Sequence, residues 1–135
     1  MKENPQQPAD EYLLLIRGTH WTKGMSPGEI QSVMTDFHAW VDGITERGLN
    51  LGAQPLMESG KRVTGAKGAS VTDGVFAESK EAIAGYFRLA IASMEEAVQI
   101  AQACPILAYG AEIEVRQIAA QCRPMAEVEV QEMAV

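Results

Sequence analysis

Two residues of the sequence, His38 and Asp73, have the chemistry of an acid–base pair. A histidine exchanges protons near neutral pH, and a carboxylate partner orients its ring and raises its basicity. His38 flanks the apolar side of a long predicted helix, which would place it at the margin between that helix and a sheet. Asp73 precedes Gly74 in a turn signal. A half-exposed helical histidine and a turn aspartate that binds local N–H groups would give the same sequence, so both interpretations stay open.

Two arginines end apolar segments of the chain, Arg17 in the first and Arg116 in the last. A guanidinium can bind an anionic group through two parallel hydrogen bonds. Arg17 and the neighbouring His20 are therefore candidate ligand-binding residues. The chain has 18 Asp and Glu residues against 11 Lys and Arg residues, which favours ion pairing of both arginines with nearby acids.

Other kinds of site lack their sequence signals. The range 60–68 spaces its glycines like a phosphate-binding loop, but no Ser or Thr follows Lys67 and no helix is predicted to begin there. The two histidines, His20 and His38, have no metal-ligand spacing. A G-x-S-x-G nucleophile motif is absent as well. We therefore expect no nucleotide, no metal ion and no cofactor.

The charge and the composition exclude several classes of partner. The formal net charge of the 135 residues is −7, so nucleic acids and anionic membranes would be repelled. We expect no membrane span and no secretory signal, because no apolar run has the required length. Cys104 and Cys122 lack CxxC spacing and are interpreted as reduced thiols of a cytoplasmic protein.

The hydrophobic pattern predicts four core strands, two helices and an extra ribbon. The first helix begins at Pro27, since Ser26 and Glu29 have the spacing of a capping box, and it ends near Arg47. The second helix follows Ser93. The strands are predicted at 11–18, 51–59, 84–92 and 109–118, with the ribbon between 60 and 73.

This order of elements predicts an α+β fold of the ferredoxin-like, split βαβ type, with an antiparallel sheet and both helices on one face. The segments LLLI and YFRLAIA are apolar on both faces of their strands. We therefore expect a homodimer in which the uncovered sheet faces pack together.

We divide the chain into a disordered lead-in (1–10), one domain (11–118) and a C-terminal extension (119–135). Val128 and Val130 alternate with acids in the extension. That alternation is typical of a strand that pairs with a partner, and equally of a frayed acidic end.

The segment 71–87, VTDGVFAESKEAIAGYF, is longer than a hairpin turn requires. It resembles the DGPFAETKE…GGYY signature of the DGPF proteins, which belong to the YCII-related superfamily. EYLLLIRG, FHAWVDGITERG, EEAVQIAQACP and AEIEVRQI resemble further family segments in the same order, so most of the chain is covered. The chain departs from the pattern at four positions, Val75, Ser79, Ala84 and Gln117.

The resemblance implies a ferredoxin-like domain that dimerises through its sheets as a dimeric α/β-barrel. It also implies a cleft between helix and sheet, where a His–Asp pair is proposed as an active site in YCII relatives. Asp73 is the aspartate of the motif, and His38 lies in the first helix, as the histidine of the superfamily does.

Two functions are consistent with this resemblance. The first is a small cofactor-independent enzyme that uses His38 and Asp73 on a small organic molecule, with Arg17 and His20 orienting the substrate. The second is a non-catalytic ligand-binding or regulatory dimer. In that case the motif residues form a structural corner; they are Gly74, Phe76, Glu78, Lys80 and Glu81.

Overall fold

The structure is a computed structural model that describes residues 10–18, 20–74 and 81–133. Its strands are β1 (Glu11–Arg17), β2 (Asn50–Pro55), β3 (Lys61–Thr64), β4 (Ser70–Asp73), β5 (Ile83–Ala90) and β6 (Glu112–Gln117). Its α-helices are α1 (Pro27–Glu46), α2 (Met94–Gln102) and α3 (Arg123–Met133). Short 3₁₀ turns lie at Ala66–Gly68 and Pro105–Tyr109.

Four of the strands form one antiparallel sheet in the order β2-β5-β1-β6. With α1 between β1 and β2, and α2 between β5 and β6, this is the predicted α+β, ferredoxin-like topology. The strands β3 and β4 form a separate antiparallel ribbon. Within the described part of one chain the strands do not close into a barrel.

The core lies on one face of the sheet. Tyr12, Leu14 and Ile16 of β1 are buried, whereas the alternating Leu13 and Leu15 are only half-buried. This period of two assigns the first set to the helix-covered face and the second to the open face. Among the described residues the buried set contains no polar or charged side chain. The core is therefore held by apolar contact and shape.

Local hydrogen bonds fix the first helix. The Ser26 hydroxyl accepts from the Glu29 N–H at 3.1 Å, and the Glu29 carboxylate accepts from the Ser26 N–H at 2.8 Å. The predicted capping box is confirmed. Farther along α1, the Trp40 indole N–H donates to the Ile100 carbonyl at 2.9 Å and joins α1 to α2. None of the described helices is long and apolar enough to cross a membrane.

The C-terminal extension matches neither of its two interpretations, a partner-pairing strand or a frayed end, because residues 123–133 form the helix α3. Glu, Met, Ala and Gln are strong helix formers, and Arg123 pairs with Glu127 one turn later at 3.7 Å. A strand would need a neighbouring strand to satisfy its backbone. The alternation of Val128 and Val130 with acids was too short a signal to outweigh these local preferences.

Gly85 allows β5 to approach β2 closely. A Cβ atom at this position would lie 2.9 Å from the Gln54 carbonyl oxygen and 3.2 Å from the Pro55 Cα. Both obstacles are backbone atoms of a paired strand, which cannot move without disturbing the ladder. The glycine is therefore required by close packing.

We predict that Gly85→Ala lowers the free energy of unfolding by about 2 kcal/mol or more, because the methyl group meets that backbone. Gly43→Ala is the matched control. Its Cβ would meet nothing within 4 Å in α1, so it should raise stability by about 0.5–1 kcal/mol. Urea titration of both variants measures the two changes, and equal effects would contradict the packing argument.

Candidate functional site

A cavity of about 370 Å³ opens between α1 and the β2–β5 side of the sheet. The helix contributes Met34, Phe37, His38 and Val41. These positions are spaced i, i+3, i+4 and i+7, so they share one helix face. The sheet and the loops supply the rest of the lining, which includes Ile16, Trp21, Pro55, Gly85, Phe87 and Ile106.

Packed aromatic rings form one wall of the cavity. The ring centroid of Phe37 lies 5.5 Å from that of Trp40 and 6.3 Å from that of Phe87. Trp40 and Phe87 meet edge to face at 5.1 Å. Aromatic pairs of this geometry are favourable and hold one another in place. The packing of these rings therefore sets the shape of the wall in the absence of a ligand.

His38 supplies a polar group at this cavity. Its ring lies 6.2 Å from the Phe37 ring, and the residue is exposed to solvent. Gln54 and Tyr86 also line the cavity, and they pair with each other across the β2–β5 ladder. Since Phe87 faces the core, strand alternation places the side chains of Gln54 and Tyr86 on the opposite face. Among the described lining residues, the polar groups on this side of the sheet are then the imidazole of His38 and the indole N–H of Trp21.

Asp73 lies elsewhere, at the end of β4 in the ribbon. Its carboxylate accepts a hydrogen bond from the Lys61 ammonium at 2.7 Å, and its side chain is 87% exposed. It does not line the cavity, and no hydrogen bond between Asp73 and His38 exists in the described part of the chain. The nearby Gly74 N–H donates to the Gly60 carbonyl.

Arg17 is occupied by ion pairing and backbone contacts. Its Nε and Nη2 atoms donate to Glu114 Oε1 at 3.2 and 2.7 Å, and its Nη1 donates to the Glu81 carbonyl at 2.9 Å. Arg116 also donates to Glu114, at 3.4 Å. The hydrogen bond from Arg17 holds the pKa of Glu114 below its ordinary value. The ion pairing favoured by the acidic composition is confirmed for both arginines.

His20 lies in the loop before α1. Its Nε2 atom is 4.0 Å from a carboxylate oxygen of Glu58, and the imidazole is exposed. The next residue, Trp21, lines the cavity. His20 is therefore next in sequence to a lining residue but is not part of the lining itself.

The motif residues divide into two groups. Phe76, Glu78 and Lys80 lie outside the described residues. Gly74 bonds to Gly60 through its N–H, and the Glu81 carbonyl accepts from Arg17. These two backbone hydrogen bonds connect neighbouring segments of the chain.

Sequence reasoning missed the aromatic wall as part of a site. The sequence indicates an apolar stripe along α1, and a strand and a family motif that include Phe87, but neither signal marks Phe37 or Phe87 as the wall of a cavity. The stripe predicted which helix face meets the sheet, but no local signal marked where the two surfaces leave a gap. Trp21, in a loop, had no periodicity that could place it.

Comparison with protein families relates the chain to one of them. The sequence model of the YCII-related domain matches residues 18–127 of the chain. The matched range includes α1, the ribbon and β5, and with them the lining of the cavity apart from Ile16. No curated protein matches the chain.

We predict that Glu114→Gln destabilises the protein at pH 7 and has little effect in acid. Because the pKa of Glu114 is lowered in the folded state, its contribution is complete above the pKa of the unfolded chain and is lost as pH falls through the folded value. The difference in unfolding free energy between wild type and variant should therefore shrink between about pH 5 and about pH 3.

Urea titrations at several pH values measure this difference. Glu112→Gln is the control, since Glu112 is exposed on the same strand and makes no described ion pair. A Glu114→Gln effect that is the same at pH 3 and at pH 7 would contradict the role of Arg17.

Proposed function

The chain belongs to the YCII-related family, and we propose that it binds a small, largely apolar organic molecule in the cavity beside His38. The observation that carries this proposal is the cavity itself, about 370 Å³ in volume with an aromatic and aliphatic lining. Small-molecule sites usually have volumes of about 300–1,000 Å³ and a few placed polar groups. An apolar cavity of about 150 Å³ already binds benzene, so there is room for a larger ring compound.

The arrangement of the lining suggests an orientation for such a ligand. Phe37 and Phe87 offer aromatic surface to an apolar body, and their geometry is fixed by Trp40. His38 is exposed to solvent and can donate or accept a hydrogen bond. The polar group of the ligand would therefore lie toward His38 and water.

A second candidate is the cofactor-independent enzyme, with His38 as general acid or base. The observation in its favour is that the imidazole lines the cavity, where it would reach a bound molecule. In this reaction Asp73 would orient His38 only after exchanging its bond with Lys61. Binding requires no such rearrangement, and it is the function we favour.

We predict that the protein binds the dye 1-anilinonaphthalene-8-sulfonate in this cavity. The ring system would contact the apolar wall, and the sulfonate would lie near His38. Met34→Trp should abolish dye fluorescence by filling the space beside the wall. His38→Ala should weaken binding about 10- to 100-fold, as expected for the loss of one hydrogen bond to a charged group.

Gln99→Trp is the matched control, because Gln99 lines a different groove, between α1 and α2. It should leave the dye affinity unchanged. A Met34→Trp protein that is folded and binds the dye as the wild type does would refute the proposed site. If Asp73→Asn abolished turnover of an identified ligand without changing its affinity, the catalytic alternative would replace simple binding.

We also propose that the protein is a homodimer through the open face of the sheet. Leu15 is paired with Tyr86 at the centre of this face, and both side chains are only half-buried. Charged pairs accompany this apolar patch, among them Glu11 with Arg88 at 2.9 Å. An apolar centre with a polar rim is typical of a protein interface.

The exposed thiol of Cys122 favours a reducing compartment such as the cytoplasm.

We predict that Leu15→Asp converts the dimer to a monomer, because a carboxylate at the centre of the face would lose its water on association. Ala108→Asp is the control, because Ala108 is exposed in the 3₁₀ turn at Pro105–Tyr109. This variant should keep the mass of the dimer. Sedimentation equilibrium measures both masses, and a Leu15→Asp dimer as stable as the wild type would contradict this interface.

A further inference from the structure

The ribbon of β3 and β4 and the helix α3 are the most exposed elements of the described chain. All eight residues of β3 and β4 are exposed, and α3 has only Ala126 half-buried. A two-stranded ribbon is at best marginally stable alone in water, and so is a helix of this length. Both elements would therefore gain stability from a surface to pack against.

The ribbon presents apolar side chains together with positive charge. Val63 and Val71 are partners in the ladder and are 63% and 61% exposed. From 61 to 73 the ribbon carries Lys61, Arg62 and Lys67 against the single acid Asp73. In a chain of net charge −7, this segment is locally basic.

The helix α3 has the complementary character. Ala126, Val130 and Met133 are spaced i, i+4 and i+7 and form one stripe. Val130 and Met133 are 66% and 83% exposed. The helix carries three acids against one base, Arg123; the acids are Glu127, Glu129 and Glu132.

The topology separates these two elements within one chain. The ribbon follows β2, which is one edge of the sheet, and α3 follows β6, which is the opposite edge. The ribbon leaves where β2 ends, at Pro55 paired with Gly85, beside the end of β1. The helix follows Gln117, which pairs with Tyr12 near the start of β1. The two elements therefore leave from diagonally opposite corners of the sheet.

We propose that the ribbon of one copy packs against α3 of a second copy of this chain. Val63 and Val71 would contact the stripe of Val130 and Met133, with the basic residues of the ribbon facing the acids of the helix. The lengths agree, since four-residue strands span about 13 Å and an 11-residue helix about 16 Å. In a two-fold dimer the contact forms twice, because each copy provides one ribbon and one helix.

The charges favour the ribbon over another apolar surface as the partner of α3. A groove between α2 and β6, lined by Val98, Leu107 and Ile113, could also receive the stripe of α3. The elements that border it carry Glu95 and Glu112. An acidic helix would be repelled there, whereas the ribbon attracts it.

A charge exchange between copies tests the proposal. Arg62→Glu with Lys67→Glu reverses the ribbon, and Glu129→Lys with Glu132→Lys reverses the helix. Sedimentation velocity over a range of concentrations should show self-association weakened on the order of tenfold in each double variant, because like charges then meet. A 1:1 mixture should restore association, since each ribbon then finds a complementary helix on the other variant.

The quadruple variant is the control for folding, and it should associate as the wild type does. The proposal is overturned if either double variant associates like wild type, or if the mixture is no tighter than its components. Leu15→Asp separates this contact from the sheet-face interface. If it abolishes association and the charge reversals do not, the sheet face acts alone and the ribbon does not bind the helix.

Discussion

The contact of Trp40 and Phe37 with Phe87 determines how α1 lies on the sheet. The three rings meet at centroid distances of 5.1–6.3 Å in the core. Trp40 also donates a hydrogen bond to the Ile100 carbonyl, so that the same residue fixes α2 relative to α1. The cavity lies beside this cluster, under the helix face that carries Met34 and His38. The contacts of these three rings therefore set both the position of α1 and the shape of the cavity beside it.

The fold follows largely from local and periodic signals. The capping residues Ser26 and Glu29 locate the start of α1, and alternation in β1 separates the core face from the open face. Gly85 was recognisable as part of a motif, but the reason for it is contact with the backbone of β2. The periodicity of a segment can be read from the sequence of that segment alone. A contact with a distant strand can be predicted only when the register of the sheet is known.

The candidate site was less predictable for the same physical reason. His38 lines the cavity between α1 and the sheet, and helix periodicity alone indicates the side of α1 on which it lies. Asp73 was paired with it on acid–base chemistry and on the family resemblance, yet among the described residues its carboxylate bonds to Lys61 on the adjacent strand. That bond follows from the register of the ribbon. At the end of the chain two interpretations were open, a strand and a frayed end. The helix α3 forms instead, because the helix propensity of its residues outweighs the brief alternation around Val130.

The central claim is that the cavity beside His38 is a ligand site, and fragment binding followed by NMR tests it most directly. The ¹⁵N-labelled protein would be titrated with a set of one- and two-ring aromatic compounds. We expect the largest amide shifts around His38, Ala84 and Phe87, all of which line the cavity. Shifts confined to the α1–α2 groove around Gln99, or no binding by any compound, would contradict the claim.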